Sequence, residues 1–147
     1  MFISYAREDA EWRDWLCDGL RAYERQRVME VWHDDRTETG TKYEKAIQDA
    51  MERCRVAVVL VSWKSLRSDF VCEREVPYLR QAAEANRVRL VPIVIETVDW
   101  ELTGLGAYQA VNDVDTQALV GLDRNALAKM LTDISKEIRD AVKAMNG

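Results

Sequence analysis

The spacing of apolar positions changes period several times along the chain, and each change predicts an element. After Glu8, an acidic first turn leads into Trp12, Leu16, Leu20 and Tyr23. Their spacing of four or three residues is the apolar stripe of a helix, and its N-terminus favours negative charge. Residues 28–33 read as a short strand, and the polar run 34–41, ending in Gly-Thr, has the composition of a loop. Tyr43, Ile47 and Met51 mark a second helix. Residues 55–61 (RVAVVLV) are nearly all apolar and β-branched, as in a strand buried on both faces, and Ser62-Trp63-Lys64-Ser65 breaks them off. A third helix is predicted over 71–86. The strand that follows, 88–95 (VRLVPIVI), contains Pro92, which cannot donate to a ladder and so pushes it toward an edge. Beyond it the pattern loosens to a weak helix near 105–111 and a short strand near 118–122. Leu127, Leu131, Ile134, Ile138 and Val142 then spell a clear final helix.

Strands alternating with helices imply right-handed βαβ units. The expected fold is therefore α/β and flavodoxin-like: about five parallel strands in the order 2-1-3-4-5, with helices on both faces. The 147 residues suit one domain, and a first strand beginning directly after Met1 reads as a domain cut from a longer protein. Ligands in such sheets bind outside the carboxyl ends of the strands at the switch point. Here that point lies between strand one, ending at Ser4-Tyr5, and strand three, ending at Ser62-Trp63.

Composition removes several classes of function. Twenty-one basic against 26 acidic residues are mixed along the chain, which argues against a nucleic-acid footprint. Cys17, Cys54 and Cys72 have neither the number nor the spacing of a disulfide framework or a zinc site, and reduced thiols suit a cytoplasmic protein. No apolar run has the length of a membrane span.

The stretch after strand three, SDFVCEREVP (68–77), concentrates the candidate chemistry. It places Glu73 and Glu75 in the first turn of helix three, where the positive end of the helix dipole holds a carboxylate ionised. Either residue serves catalysis or simply stabilises the helix end. Cys72, three residues before Glu75, shares roughly its helical face, and a helix N-terminus lowers a thiol's pKa; packing is the alternative role. Ser4 and Ser62, at the strand ends, either meet a ligand or cap neighbouring backbone.

These residues resemble a bacterial Toll/interleukin-1 receptor (TIR) domain. The likeness runs in order from Phe-Ile-Ser-Tyr-Ala at 2–6, through Trp32 to Gly40, Leu60-Val61-Ser62, Ser68-Asp69-Phe70 and Glu75-Val76-Pro77, to Val91-Pro92-Ile93, Asp99-Trp100 and Gln109-Ala110. The resemblance implies an enzyme that breaks the nicotinamide–ribose bond of NAD+, its substrate, using one glutamate in the third helix, here Glu75. It also implies contacts with other TIR domains, activation by self-association, a sensor or adaptor outside this chain, and no metal. Many catalytic members carry an aromatic residue four positions before the glutamate, where this chain has Val71. Phe70, Trp63 or Tyr5 could supply a ring for the nicotinamide, or belong to the core. Arg7 stands where members often carry a basic residue near the ligand. Asp34, Asp35, Arg36 and Gly40 fall in the loop that resembles the family's BB loop, which lies over the site and contacts neighbouring domains.

His33 is the sole histidine and reads as a solvent-facing strand end; with no Gly-x-Ser-x-Gly, a Ser-His-Asp hydrolase has little support. Gly104-Leu105-Gly106 lacks the third glycine of a dinucleotide fingerprint. A response regulator would need an aspartate where strand three has Leu60-Val61-Ser62. The remaining alternative is a non-catalytic TIR scaffold that signals by assembly.

Overall fold

The computed structural model describes residues 1–33, 41–113 and 117–146. Asp34, Asp35, Arg36 and Gly40 lie outside the described residues.

The sheet is parallel throughout, in the order β2-β1-β3-β4, with β1 at Phe2–Ser4, β2 at Trp32–His33, β3 at Val56–Val61 and β4 at Arg89–Val94. The expected order is observed, with four strands among the described residues in place of about five. The order reverses between β1 and β3, where Phe2 faces Ala57 and Ser4 faces Val59 in register. Helix α1 (Ala10–Arg25), α2 (Thr41–Arg53), a short α3 (Trp63–Arg67), α4 (Val76–Glu84) and α5 (Arg124–Asn146) complete the layers.

Strand alternation divides the core in two. Phe2, Ala57, Val59 and Val61 face α2 and α4, meeting Ile47, Met51, Val76 and Leu79. Ile3, Tyr5, Val58 and Leu60 face α1 and α5, meeting Leu16, Leu20, Ile134 and Ile138. All six residues of β3 are buried, as its unbroken apolar run requires of a central strand.

The region after β4 departs from expectation. Residues 105–111 form turns, and the expected strand at 118–122 is a 3-10 turn, Leu119–Gly121. What occupies the edge of β4 is largely a side chain. The Asn112 amide accepts from Val94 N–H at 2.8 Å and donates to Val94 C=O at 2.8 Å and to Gln117 C=O at 2.7 Å. Val111 N–H reaches Pro92 C=O and Val120 N–H reaches Ile95 C=O. The outward groups of Pro92 and Val94, at the carboxyl half of β4, are thus bonded by a side chain and a loop where a fifth strand would otherwise pair with them.

Candidate functional site

Two serines end the central strands, and each reaches across to a carboxylate on the segment that follows the other strand. Ser4, the last residue of β1, donates its hydroxyl to Glu75 Oε1 at 3.1 Å, beyond β3. Ser62, just after β3, donates its hydroxyl to Asp9 Oδ2 at 2.5 Å, in the 3-10 turn after β1. All four residues are buried: Ser4, Ser62 and Glu75 are 0% exposed and Asp9 is 1%. Both bonds lie at the switch point, where the topology places a ligand site.

Glu75 arrives there through an irregular helix. Phe70–Glu75 is a π-turn, with Val76 N–H bonded back to Val71 C=O, five residues earlier. On a regular helix Val71 and Val76 would diverge by about 140°, at about 100° per residue. The wider turn brings both into the core facing α2 and α4. Glu75 therefore ends this π-turn and stands at the N-cap of α4 rather than in the first turn of a helix beginning at 71. It is held there by a serine hydroxyl and is buried. Glu73 does lie in the first turn and is exposed, as a helix-stabilising acid would be.

The same widening separates Cys72 from Glu75, because three residues no longer bring side chains onto one face. Cys72 is exposed, and its thiol meets the carbonyls of Ser65 at 3.1 Å and Leu66 at 3.2 Å. Partial burial raises its pKa above the ordinary thiol value, and Asp69 and Glu73 add to the rise. This is opposite to the lowering expected of a helix N-terminus.

The aromatic candidates diverge. Phe70 is half-buried beneath the Arg74 guanidinium, 5.9 Å from its ring, in a groove of about 270 Å³ shared with Ile47, Met51 and Tyr78 of α2 and α4. Arg74 also pairs with Glu44 at 3.2 Å. Val71 is core, and on its far side lies a cavity of about 160 Å³ bordered by Val59, Val76, Arg80 and Leu105. Trp63 is 48% exposed, its indole N–H bonded to Thr97 C=O at 3.1 Å and its backbone N–H to Glu96 Oε1 at 2.8 Å. Its place at the carboxyl end of β3 keeps it on the rim of the switch point.

Tyr5 alternates away from Ser4 and belongs to the α1/α5 face. Arg13 Nη1 donates to its hydroxyl at 2.5 Å while the guanidinium lies 5.0 Å from its ring centre. His33, expected to face solvent, is half-buried with its ring edge-on to Tyr5 at 6.4 Å. Arg7 is exposed in the turn after β1. The structure thus gathers Ser4, Glu75, Ser62 and Asp9, with Arg7 and Trp63 at the same end of the sheet. Tyr5 lies on the opposite face of the sheet and Cys72 is exposed, while Phe70 and Val71 pack into the α2/α4 face.

Asp9 is the residue sequence reasoning missed. An acid five positions beyond the end of the first strand, at a switch point, was the available signal. Its pKa is raised: burial dominates, with Glu96 and Glu8 adding to it, against the Ser62 hydrogen bond and Lys64 Nζ at 3.9 Å. Ser62 is also the N-cap of α3. Its hydroxyl accepts from Ser65 N–H at 3.0 Å, and Ser65 Oγ accepts from Ser62 N–H at 2.9 Å, which closes a capping box.

A family described as "TIR domain" matches residues 1–131. The uncharacterized protein y4lF of Sinorhizobium fredii is 30% identical over 111 residues, which are 76% of this chain and 34% of that protein. The chain therefore spans about a third of that relative's length. With the parallel β2-β1-β3-β4 sheet and a match over residues 1–131, this chain belongs to the TIR domain family.

Proposed function

We propose that this domain hydrolyses NAD+ at the nicotinamide–ribose bond, with Glu75 as its catalytic carboxylate. The observation that carries the reading is the burial of Glu75 at the switch point, held by Ser4 from the end of β1. In the reaction the C1′–N bond breaks and its electron pair leaves with nicotinamide, which becomes neutral. Water adds to C1′ and loses a proton, giving ADP-ribose; an internal nucleophile in place of water gives a cyclic isomer. A carboxylate beside the ribose binds its hydroxyls and stabilises the positive charge that develops at C1′. Neither step calls for a metal or an organic cofactor. Arg7 and Trp63, at the rim, are placed to meet the substrate's charged and aromatic parts.

Glu75 is fully covered here, so substrate reaches it only when the cover opens. This fits activation by association with other TIR domains, in a cytoplasmic effector forming part of a longer bacterial immune protein. The much greater length of y4lF agrees with such an arrangement. Among the described residues no helix is long and apolar enough to cross a membrane.

The second reading is a scaffold that signals by TIR–TIR assembly. It is favoured by the fate of the aromatic position: Val71 is core and Phe70 turns toward α2. One experiment separates the two: nicotinamide release from NAD+ by concentrated domain, free and artificially clustered, for wild type and Glu75→Gln. Release by clustered wild type and its loss in the variant support the hydrolase. A clustered wild type that self-associates yet releases nothing leaves the scaffold.

A further inference from the structure

The Ser62–Asp9 bond is the mirror of the Ser4–Glu75 bond, and hydrogen bonds alternating with short backbone segments join the two. From Asp9, the path enters the Ser62 hydroxyl and, through the capping box, the backbone and hydroxyl of Ser65. Ser65 C=O accepts from the Cys72 thiol at 3.1 Å and from Ser68 N–H at 3.2 Å. Ser68 then holds the start of the π-turn twice: its hydroxyl accepts from Val71 N–H at 3.3 Å and its carbonyl from Cys72 N–H at 2.9 Å. That turn ends at Glu75. At its other end, Asp9 N–H bonds to Ala6 C=O at 2.8 Å, which folds the chain back directly after Ser4 and Tyr5. Both members of the Ser4–Glu75 pair are therefore fastened, from opposite directions, to one buried serine–carboxylate bond.

We infer that Asp9 and Ser62 are positioning residues for Glu75, setting its carboxylate against Ser4 through α3 and the π-turn. Asp9 itself meets no substrate. It is 1% exposed, bonded to the buried Ser62 hydroxyl and 3.9 Å from the Lys64 ammonium. A network of this kind fixes a side chain more closely than packing alone when every member is satisfied. Displacing the reacting carboxylate by a fraction of an ångström lowers turnover more than it lowers binding.

The kinetic arm rests on the hydrolase reading, so a second arm does not use activity. The ¹³C resonance of the Glu75 carboxyl is recorded by NMR at fixed neutral pH in wild type, Asp9→Asn, Ser62→Ala and the double variant. The expected result is that each single change moves it and the double moves it no further, since both cut one path. Ser62→Thr, which keeps the hydroxyl, restores the wild-type position. In the kinetic arm Asp9→Asn lowers kcat roughly tenfold at nearly unchanged KM. If clustered wild type releases no nicotinamide, the hydrolase reading falls while the NMR arm still decides the positioning role. A Glu75 resonance unmoved in folded single variants, or shifts that add, overturns the inference. Should both singles fail to fold, Lys64→Ala removes only a half-exposed cation beside Asp9. A small shift of Glu75 is then expected, and none overturns the proposal.

Discussion

The two faces of the sheet are built on different plans. On one, α1 and α5 are uninterrupted helices of 16 and 23 residues pressed together without room to spare. A Cβ added at Gly19 of α1 would lie 2.5 Å from Leu131 Cδ1 and from Ser135 Oγ. On the other face the helical layer breaks into α3, a π-turn and α4, borders a part-open cavity of about 160 Å³, and buries a carboxylate. The regular face supplies stability through apolar burial, at about 1.5–3 kcal/mol for a leucine such as Leu16 or Leu20. The irregular one gives up some packing to place Glu75. Irregular backbone and a buried carboxylate are costly where only stability matters, so their coincidence supports the proposal that this face holds the site.

The sharpest way to break this comparison is a pair of substitutions with opposite outcomes. Glu75→Gln is expected to lower nicotinamide release at least about 100-fold, the scale of losing a key charge-stabilising group. Its thermal unfolding should remain close to that of wild type. Gly19→Val on the other face should do the reverse, losing about 2–3 kcal/mol of stability by overpacking while the folded fraction turns over normally. If the valine variant unfolds like wild type in urea, the account of the α1–α5 contact is wrong.

Asn112→Ala should cost about 2–3 kcal/mol in chemical denaturation, since it strips partners from Val94 N–H and C=O together. Asn112→Asp, which still accepts from Val94 N–H, is expected to fall between the two. A smaller effect comes from Asp9. Its folded-state pKa is raised above the ordinary value of 3.8, so the protonated form is favoured by folding. That contribution is fully present below 3.8 and is lost as pH rises through the folded value. Thermal melts of wild type and Asp9→Asn should accordingly differ in slope with pH just above the usual carboxylate range, the variant being flatter. The mildest test is alkylation of Cys72. It should proceed more slowly at neutral pH than for an unstructured cysteine peptide, because its pKa is raised. Faster labelling would restore the idea of an activated thiol.

The regular face was the more legible. Leu16, Leu20, Ile134 and Ile138 recur at helical spacing, and the run from Val56 to Val61 has little choice but a central strand. Pro92 announced an edge correctly. Glu75 was legible from its motif, but its setting was not. Whether a helix takes one extra residue in a turn is decided by what Val71 and Val76 find beneath them, and a local pattern does not hold that information. For the same reason Cys72 was placed on the wrong face. The expected fifth strand failed on different grounds: residues 118–122 have strand composition, but the partner groups on β4 were taken by a side chain from Asn112. Asp9 was hidden among ordinary first-turn acids, and only the fold shows that it meets Ser62.

That same asparagine bears on how copies of the domain can join. An open parallel edge is a template on which another chain's strand can form, and proteins that assemble through sheets leave such an edge bare. Here the outward groups of Pro92, Val94 and Ile95 are occupied from within the chain. A neighbouring copy therefore cannot lengthen the sheet across the part of β4 nearest the carboxyl ends. Any contact another copy makes at that stretch of the edge has to run through side chains, and such a contact can open without tearing a β-ladder.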